Sequence, residues 1–227
     1  MHFNNPTLIV MLTYNDCTLE NASSIFEQCK NSMATFYGLK EEGLPINQMK
    51  NLYTYMKECG KTTILEVVAY TEEKCMLGAK MAVECGCDIL MGTIFFDSVN
   101  EFCKSNNLKY MPFVGTVLGR PSILSGTISE MIDEANRYLS KGVYGIDLLG
   151  YRYTGDAIAL NKEFVSLVTA PVCLAGSINS YKRLDEVKNS GAWAFTIGGA
   201  FFENTFGETY LSQINNVCKY IQSHSNS

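Results

Sequence analysis

The chain has 227 residues, 47% of them apolar and 18% charged, with a formal net charge of -5. That composition excludes a disordered chain, and an acidic balance without any Lys/Arg run argues against nucleic acid or an anionic membrane as partner. The length suits one α/β barrel spanning residues 1–227 as a single domain.

The chain opens MHFNNPTLIVMLTYND. It shows neither a basic n-region nor a small-residue cleavage site. The run Leu8 to Leu12 is too short to span a bilayer, so Thr7 to Thr13 reads as a buried strand. Without a secretion signal, the nine cysteines are expected to be reduced thiols in the cytoplasm. The closest pair, Cys85 and Cys87, has no second pair or histidines beside it to complete a metal site, so no metal is expected and the thiols read as small buried hydrophobes. The two histidines, His2 and His224, stand near the chain ends, which argues against triad, dyad or His-metal chemistry. Proton transfer then falls to Asp, Glu, Lys, Tyr, Cys or water.

From there, short apolar runs alternate with amphipathic stretches. After the first strand come strands at Ala34 to Gly38, Thr63 to Ala69, Asp88 to Thr93, Tyr110 to Thr116, Gly145 to Leu149, Val172 to Ala175 and Ala194 to Gly198. Apolar residues at helical spacing place helices over Ala22 to Cys29, Ile46 to Cys59, Glu73 to Glu84, Ser129 to Ser140, Asn161 to Val168 and Tyr181 to Asn189. Gly60, Gly86, Gly142 and Gly191 each follow a helix and precede a strand, where a left-handed residue closes a helix. Eight strand–helix units at this length imply a closed (β/α)8 TIM barrel rather than an open sheet.

In such a barrel the chemistry sits at the C-terminal ends of the strands. Glycines at the ends of strands seven and eight, in Leu174-Ala175-Gly176-Ser177 and Ile197-Gly198-Gly199-Ala200, let backbone N–H groups approach an anion. A short helix starting near Ala200 adds its dipole. Gly176, Ser177, Gly198 and Gly199 are therefore the expected phosphate ligands. Glu66 and Asp147 each stand inside an apolar strand, where burial raises a carboxyl pKa toward the range useful for proton transfer. Lys40 is a candidate enolate stabiliser or Schiff-base amine. Arg120, Arg152 and Tyr151 are candidates for binding a substrate's polar groups. Other polar residues at strand ends are Asp16, Glu41, Glu42, Tyr70, Asp97 and Asp156, and Cys17 follows strand one without a neighbouring base.

The segment Gly191-Ala-Trp-Ala-Phe-Thr-Ile-Gly198 resembles the last strand of the N-acetylmannosamine-6-phosphate 2-epimerases. Gly145-Ile-Asp-Leu-Leu-Gly150-Tyr151 followed by Thr154 is similar to that family's sixth-strand segment, and Leu39 to Gly43 stands where the family has an Arg followed by Gly. More broadly the chain resembles the ribulose-phosphate-binding barrels. The resemblance implies a phosphorylated small metabolite as ligand. It also implies a catalytic lysine ending strand three and a glutamate ending strand seven, yet the matching positions here are about Ala69 and Ala175. The Asp-x-Lys-x-x-Asp signature of related decarboxylases and the sixth-strand lysine of the aldolases are also missing.

The leading expectation is a sugar-phosphate isomerase or epimerase in which Glu66 and Asp147 move a proton beside a carbonyl. Two alternatives stay open: an aldolase or lyase using Lys40, and a phosphosugar-binding protein without catalysis. No nucleotide fingerprint or P-loop calls for a cofactor. Barrels of this kind are often homodimers, though no exposed face marks an interface.

Overall fold

The computed structural model describes residues 5–223, so His2 and His224 lie outside the described residues. Eight parallel strands form the barrel: β1 (Thr7–Met11), β2 (Phe36–Lys40), β3 (Thr62–Val67), β4 (Ile89–Gly92), β5 (Lys109–Met111), β6 (Ile146–Leu148), β7 (Val172–Leu174) and β8 (Ala194–Ile197). Their hydrogen-bonded order is β6-β7-β8-β1-β2-β3-β4-β5. The seam between β5 and β6 is closed by three backbone bonds, from the N–H groups of Tyr144 and Gly145 to Tyr110 O (2.9 and 3.4 Å) and from Asp147 N–H to Pro112 O (3.0 Å). The helices outside are α1 (Ala22–Cys29), α2 (Ile46–Glu58), α3 (Glu72–Glu84), α4 (Asp97–Ser105), α5 (Ile128–Ser140), α6 (Ala157–Leu167), α7 (Tyr181–Ser190), α8 (Gly199–Phe202) and α9 (Tyr210–Gln222).

Two buried clusters follow from the period-2 alternation of strand side chains. Val10, Leu39, Leu65, Leu90, Ile146, Leu148 and Leu174 point outward to the helices. Ile9, Met11, Ile64, Ile89, Met91, Met111, Cys173 and Ala194 fill the barrel interior. Gly38 leaves the room that Met11 occupies: a Cβ there would sit 2.4 Å from the Met11 sulfur. Phe36, Tyr144 and Trp193 close the N-terminal end, with the indole 5.7 and 6.0 Å from the two other rings. The opposite end is left to the loops.

The fifth strand is shorter than its apolar run. It ends at Met111, because Pro112 has no N–H to continue the ladder, and the chain then folds into a hairpin of Thr116–Leu118 against Ile123–Ser125. A second hairpin pairs Thr13–Tyr14 with Cys17–Thr18 where the first strand was expected to run on. Asn15 and Asp16 form its tip with φ of 50° and 61°, a left-handed pair that favours such residues. α6 starts four residues earlier than its periodicity suggests. The Asp156 carboxylate caps it, accepting from Ile158 N–H at 2.9 Å and Ala159 N–H at 3.0 Å. All nine cysteines are free thiols, six buried and three half-buried.

Candidate active site

A cavity of about 450 Å³ opens at the C-terminal end of the barrel. Alternation supplies its floor. Tyr37 and Leu39 face the helices, so Lys40 turns inward, and Leu65 and Val67 do the same for Glu66. Lys40 and Glu66 are register partners on adjacent strands. Both are buried, and the ammonium lies 3.4 Å from Glu66 Oε1 and 2.6 Å from Asp16 Oδ1.

The local fold holds this trio. Thr18 Oγ1 accepts from Lys40 N–H and donates to Lys40 O, both at 2.8 Å, which clamps the first hairpin onto β2. The turn at Asn15-Asp16 then carries the Asp16 carboxylate over the Lys40 ammonium. Burial alone would raise the Asp16 pKa, but the hydrogen bond and charge of Lys40, aided by Arg152 and Arg120, bring it below the ordinary value. Burial likewise pulls Lys40 down, and the charges of Glu66 and Asp16 outweigh it, so its pKa is raised. Lys40 is held as a firm ammonium.

Glycine loops make the opposite wall. Gly176, Ser177, Gly198 and Gly199 all line the cavity, with Asn179, Thr196 and Glu203 beside them. Gly176 has φ +125°, and a Cβ there would come within 2.7 Å of Tyr151 Cβ. Among the described residues, no backbone acceptor takes the N–H of Gly176, Ser177 or Gly199. Backbone N–H groups without backbone acceptors on a concave wall are the elements from which an anion nest is built.

The candidate binding residues separate. Arg120 and Arg152 line the cavity. Arg120 is already committed to Glu41 Oε1 at 2.7 Å and to Glu42, which ties the Thr116–Ser125 hairpin to the loop after β2. Glu41 also accepts from Val68 N–H at 3.0 Å. Arg152 has no carboxylate within ion-pair distance among the described residues. Tyr151 does not line the cavity. Its ring stacks under the Arg183 guanidinium at 4.9 Å and packs behind Gly176, so it supports the loop from outside. Asp147 does not reach the cavity either. It points into the barrel, fully buried, and neither carboxylate oxygen has a hydrogen-bond partner at normal distance and angle. The expected Glu66–Asp147 pair therefore has one member in contact with the cavity. Asp16 joins the site instead; its signal in the sequence was an Asn-Asp turn directly after strand one. Among the described residues no group of His, Cys, Asp and Glu is arranged to hold a metal ion, and no helix is long and apolar enough to cross a membrane.

No family model and no curated protein matches the sequence. Solved structures do match. Orotidine 5'-phosphate decarboxylase from Pyrococcus horikoshii OT3 superposes with a TM-score of 0.71 at 11% identity, covering 96% of this chain and 100% of that one. N-acetylmannosamine-6-phosphate 2-epimerase from Clostridium perfringens gives 0.64 at 14% identity over 86% of both chains. A 4-hydroxy-2-oxoglutarate/2-dehydro-3-deoxyphosphogluconate aldolase gives 0.69 at 12% identity over 96% of both. The chain has the (β/α)8 TIM-barrel fold that these structures share. At these identities the likeness carries the fold and leaves the reaction to the site itself. Ala69 is buried two residues past β3 and Ala175 lines the cavity, so neither position carries an ionisable group, and the charged groups on the cavity floor are Asp16, Lys40 and Glu66.

Proposed function

We propose that the protein is an enzyme acting on a small phosphorylated sugar, with the phosphate on the loops after β7 and β8 and proton transfer at a carbon next to a carbonyl. The observation that carries this reading is the Lys40 ammonium, set between two carboxylates on the floor of a cavity whose far wall is a glycine nest.

Each group has one role. Gly176, Ser177, Gly198 and Gly199 anchor the phosphate, which fixes the reacting carbon over the floor. Arg152 adds positive charge to the same cavity. The Glu66 carboxylate takes the proton from the carbon. The C–H electron pair forms the new C=C bond, the C=O π pair moves onto the oxygen, and Lys40 stabilises the enolate as a fixed positive charge needing no reorganisation. Return of that proton from Glu66 to the neighbouring carbonyl carbon, with the adjacent hydroxyl proton passing to the enolate oxygen, gives the isomer; an epimer needs the proton delivered to the opposite face by another donor, such as water. Asp16 holds the ammonium in place.

A Schiff-base role for Lys40, as in an aldolase or lyase, needs a free amine. Two ion pairs oppose that, so borohydride with substrate is expected to leave Lys40 unmodified. Binding without turnover is the remaining alternative, and one pair of measurements separates it. Sugars are compared with and without a terminal phosphate by thermal shift. A ligand at a hundred times its Kd stabilises by about 2.7 kcal/mol, roughly 5–10 °C for a chain of this size. The best binder is then turned over in deuterium oxide. Phosphorylated members alone should raise the midpoint, and deuterium should enter at the carbon beside the carbonyl. Equal shifts by unphosphorylated sugars would remove the phosphate reading, and full retention of protium during turnover would remove proton transfer.

A further inference from the structure

One titratable group in the barrel is used by none of these steps. Asp147 sits at the centre of β6, where Ile146 and Leu148 face the helices and turn it inward. It is 0% exposed, and neither oxygen has a partner at normal hydrogen-bond geometry, with the Gly92 N–H the one backbone donor acting on it. Three ionisable groups face it: Glu66 from β3, Lys40 from β2 and, in register on β7, Cys173. The other strands supply apolar Met91 and Met111 to the same interior.

Three carboxyl groups thus share one ammonium. Asp16 and Glu66 lie within ion-pair distance of it, and Asp147 does not. An isolated ionised carboxylate in an apolar interior is too costly to persist, and two carboxyl groups in one low-dielectric compartment hold a proton between them. The one that keeps it is the fully buried one, which has no cation within ion-pair distance and a single backbone N–H, that of Gly92, near it.

We propose that Asp147 is a positioning residue that stays un-ionised and holds the proton of this pair, so that Glu66 remains the carboxylate facing the ligand. The inference rests on the reading of Glu66 as proton acceptor. Asp147 makes and breaks no bond: the substrate proton goes to Glu66 and returns from it, and the Asp147 O–H stays intact throughout. Burial first, then the charge of Glu66, push the Asp147 carboxyl well above the ordinary range, against the pull of Lys40 and of the Gly92 N–H. Cys173 beside it is pushed up as well, by burial and by the two carboxyl groups.

The test is carbon NMR of protein labelled at the Asp side-chain carboxyl, with Asp147→Asn assigning the resonance. Asp147 should keep the shift of an un-ionised acid at pH 7. Its midpoint should fall in Glu66→Gln, where a negative charge is removed, and rise in Lys40→Met, where a positive one is. A buried acid with no part in the site would respond to neither. Deuterium exchange of the best sugar phosphate adds the second readout. The wild type should show an alkaline break as Asp147 ionises beside Glu66, and Asp147→Asn should lack it. Should that variant fail to fold, the infrared carboxylic-acid band of the wild type, moved by Asp labelling, gives the same answer. An ionised Asp147 at pH 7, or a midpoint indifferent to both variants, overturns the inference. Exchange abolished by Glu66→Gln alongside either result leaves the proposed function standing; exchange unaffected by Glu66→Gln removes that function while Asp147 protonation is still measured.

Discussion

At the scale of single residues, the cavity floor is a conflict resolved by charge. Lys40 is tolerated in the interior because Glu66 and Asp16 balance it. Removing it leaves a buried carboxylate unpaired, so Lys40→Met should cost about 3 kcal/mol by denaturant titration. Asp147 and Asp16 give opposite pH dependences. The Asp147 carboxyl is raised above its ordinary 3.8 in the fold. Below that value both folded and unfolded chains hold the proton; as pH rises, only the unfolded chain releases it, so stability falls until the folded midpoint is passed. Asp147→Asn removes this loss, and its melting temperature should exceed that of wild type at pH 8, with the gap closing toward pH 4. Asp16 is lowered in the fold, so its contribution is present above 3.8 and fades as acid protonates it. A constant offset for Asp147→Asn across pH would show that the carboxyl ionises normally.

At the scale of elements, what the sequence disclosed and what it hid divide by range. The eight strands were legible because each is an apolar run between helix signals, and Gly176, Ser177, Gly198 and Gly199 because glycines recur at two successive strand ends. The fate of Asp147 and Tyr151 was not legible. A strand's alternation tells that Asp147 faces inward but not how deep the open cavity reaches, and Tyr151 lies inside a single 3-10 turn, Gly150–Arg152, with its ring against Arg183, far along the chain. The two hairpins were missed because their strands are two or three residues long, too short for any period to register. The wall they face can be probed without unfolding it. Ser177 is exposed, so Ser177→Ala should leave the melting temperature unchanged and remove one hydrogen bond to phosphate, about 1 kcal/mol or roughly fivefold in affinity by calorimetry. Gly176→Ala differs. Its positive φ and the close Tyr151 backbone make it strained in the free protein, at about 1–3 kcal/mol. Equal affinity in Ser177→Ala would move the phosphate away from this loop.

At the scale of the whole molecule, the barrel is unevenly sealed. β2 and β3 pair over five registered residues, whereas the β5–β6 seam rests on the N–H groups of Tyr144, Gly145 and Asp147. A proline follows β5 directly, and Gly145 admits the Pro171 carbonyl within 2.2 Å of where a Cβ would stand, so neither edge of the seam can be lengthened or thickened. Asp147 hangs on this seam by its backbone while its side chain lies among apolar groups. Amide exchange should therefore report a sub-global opening in which Tyr144 and Asp147 exchange at lower free energy than Ile64 or Val10. Above the Asp147 midpoint, ionisation favours the opened form, and the seam amides should exchange faster than base catalysis alone predicts. In Asp147→Asn that excess should vanish while the central strands keep their protection. If the seam amides share the free energy of Ile64 at every pH, the barrel opens only as a unit and the buried acid is not coupled to its weakest edge.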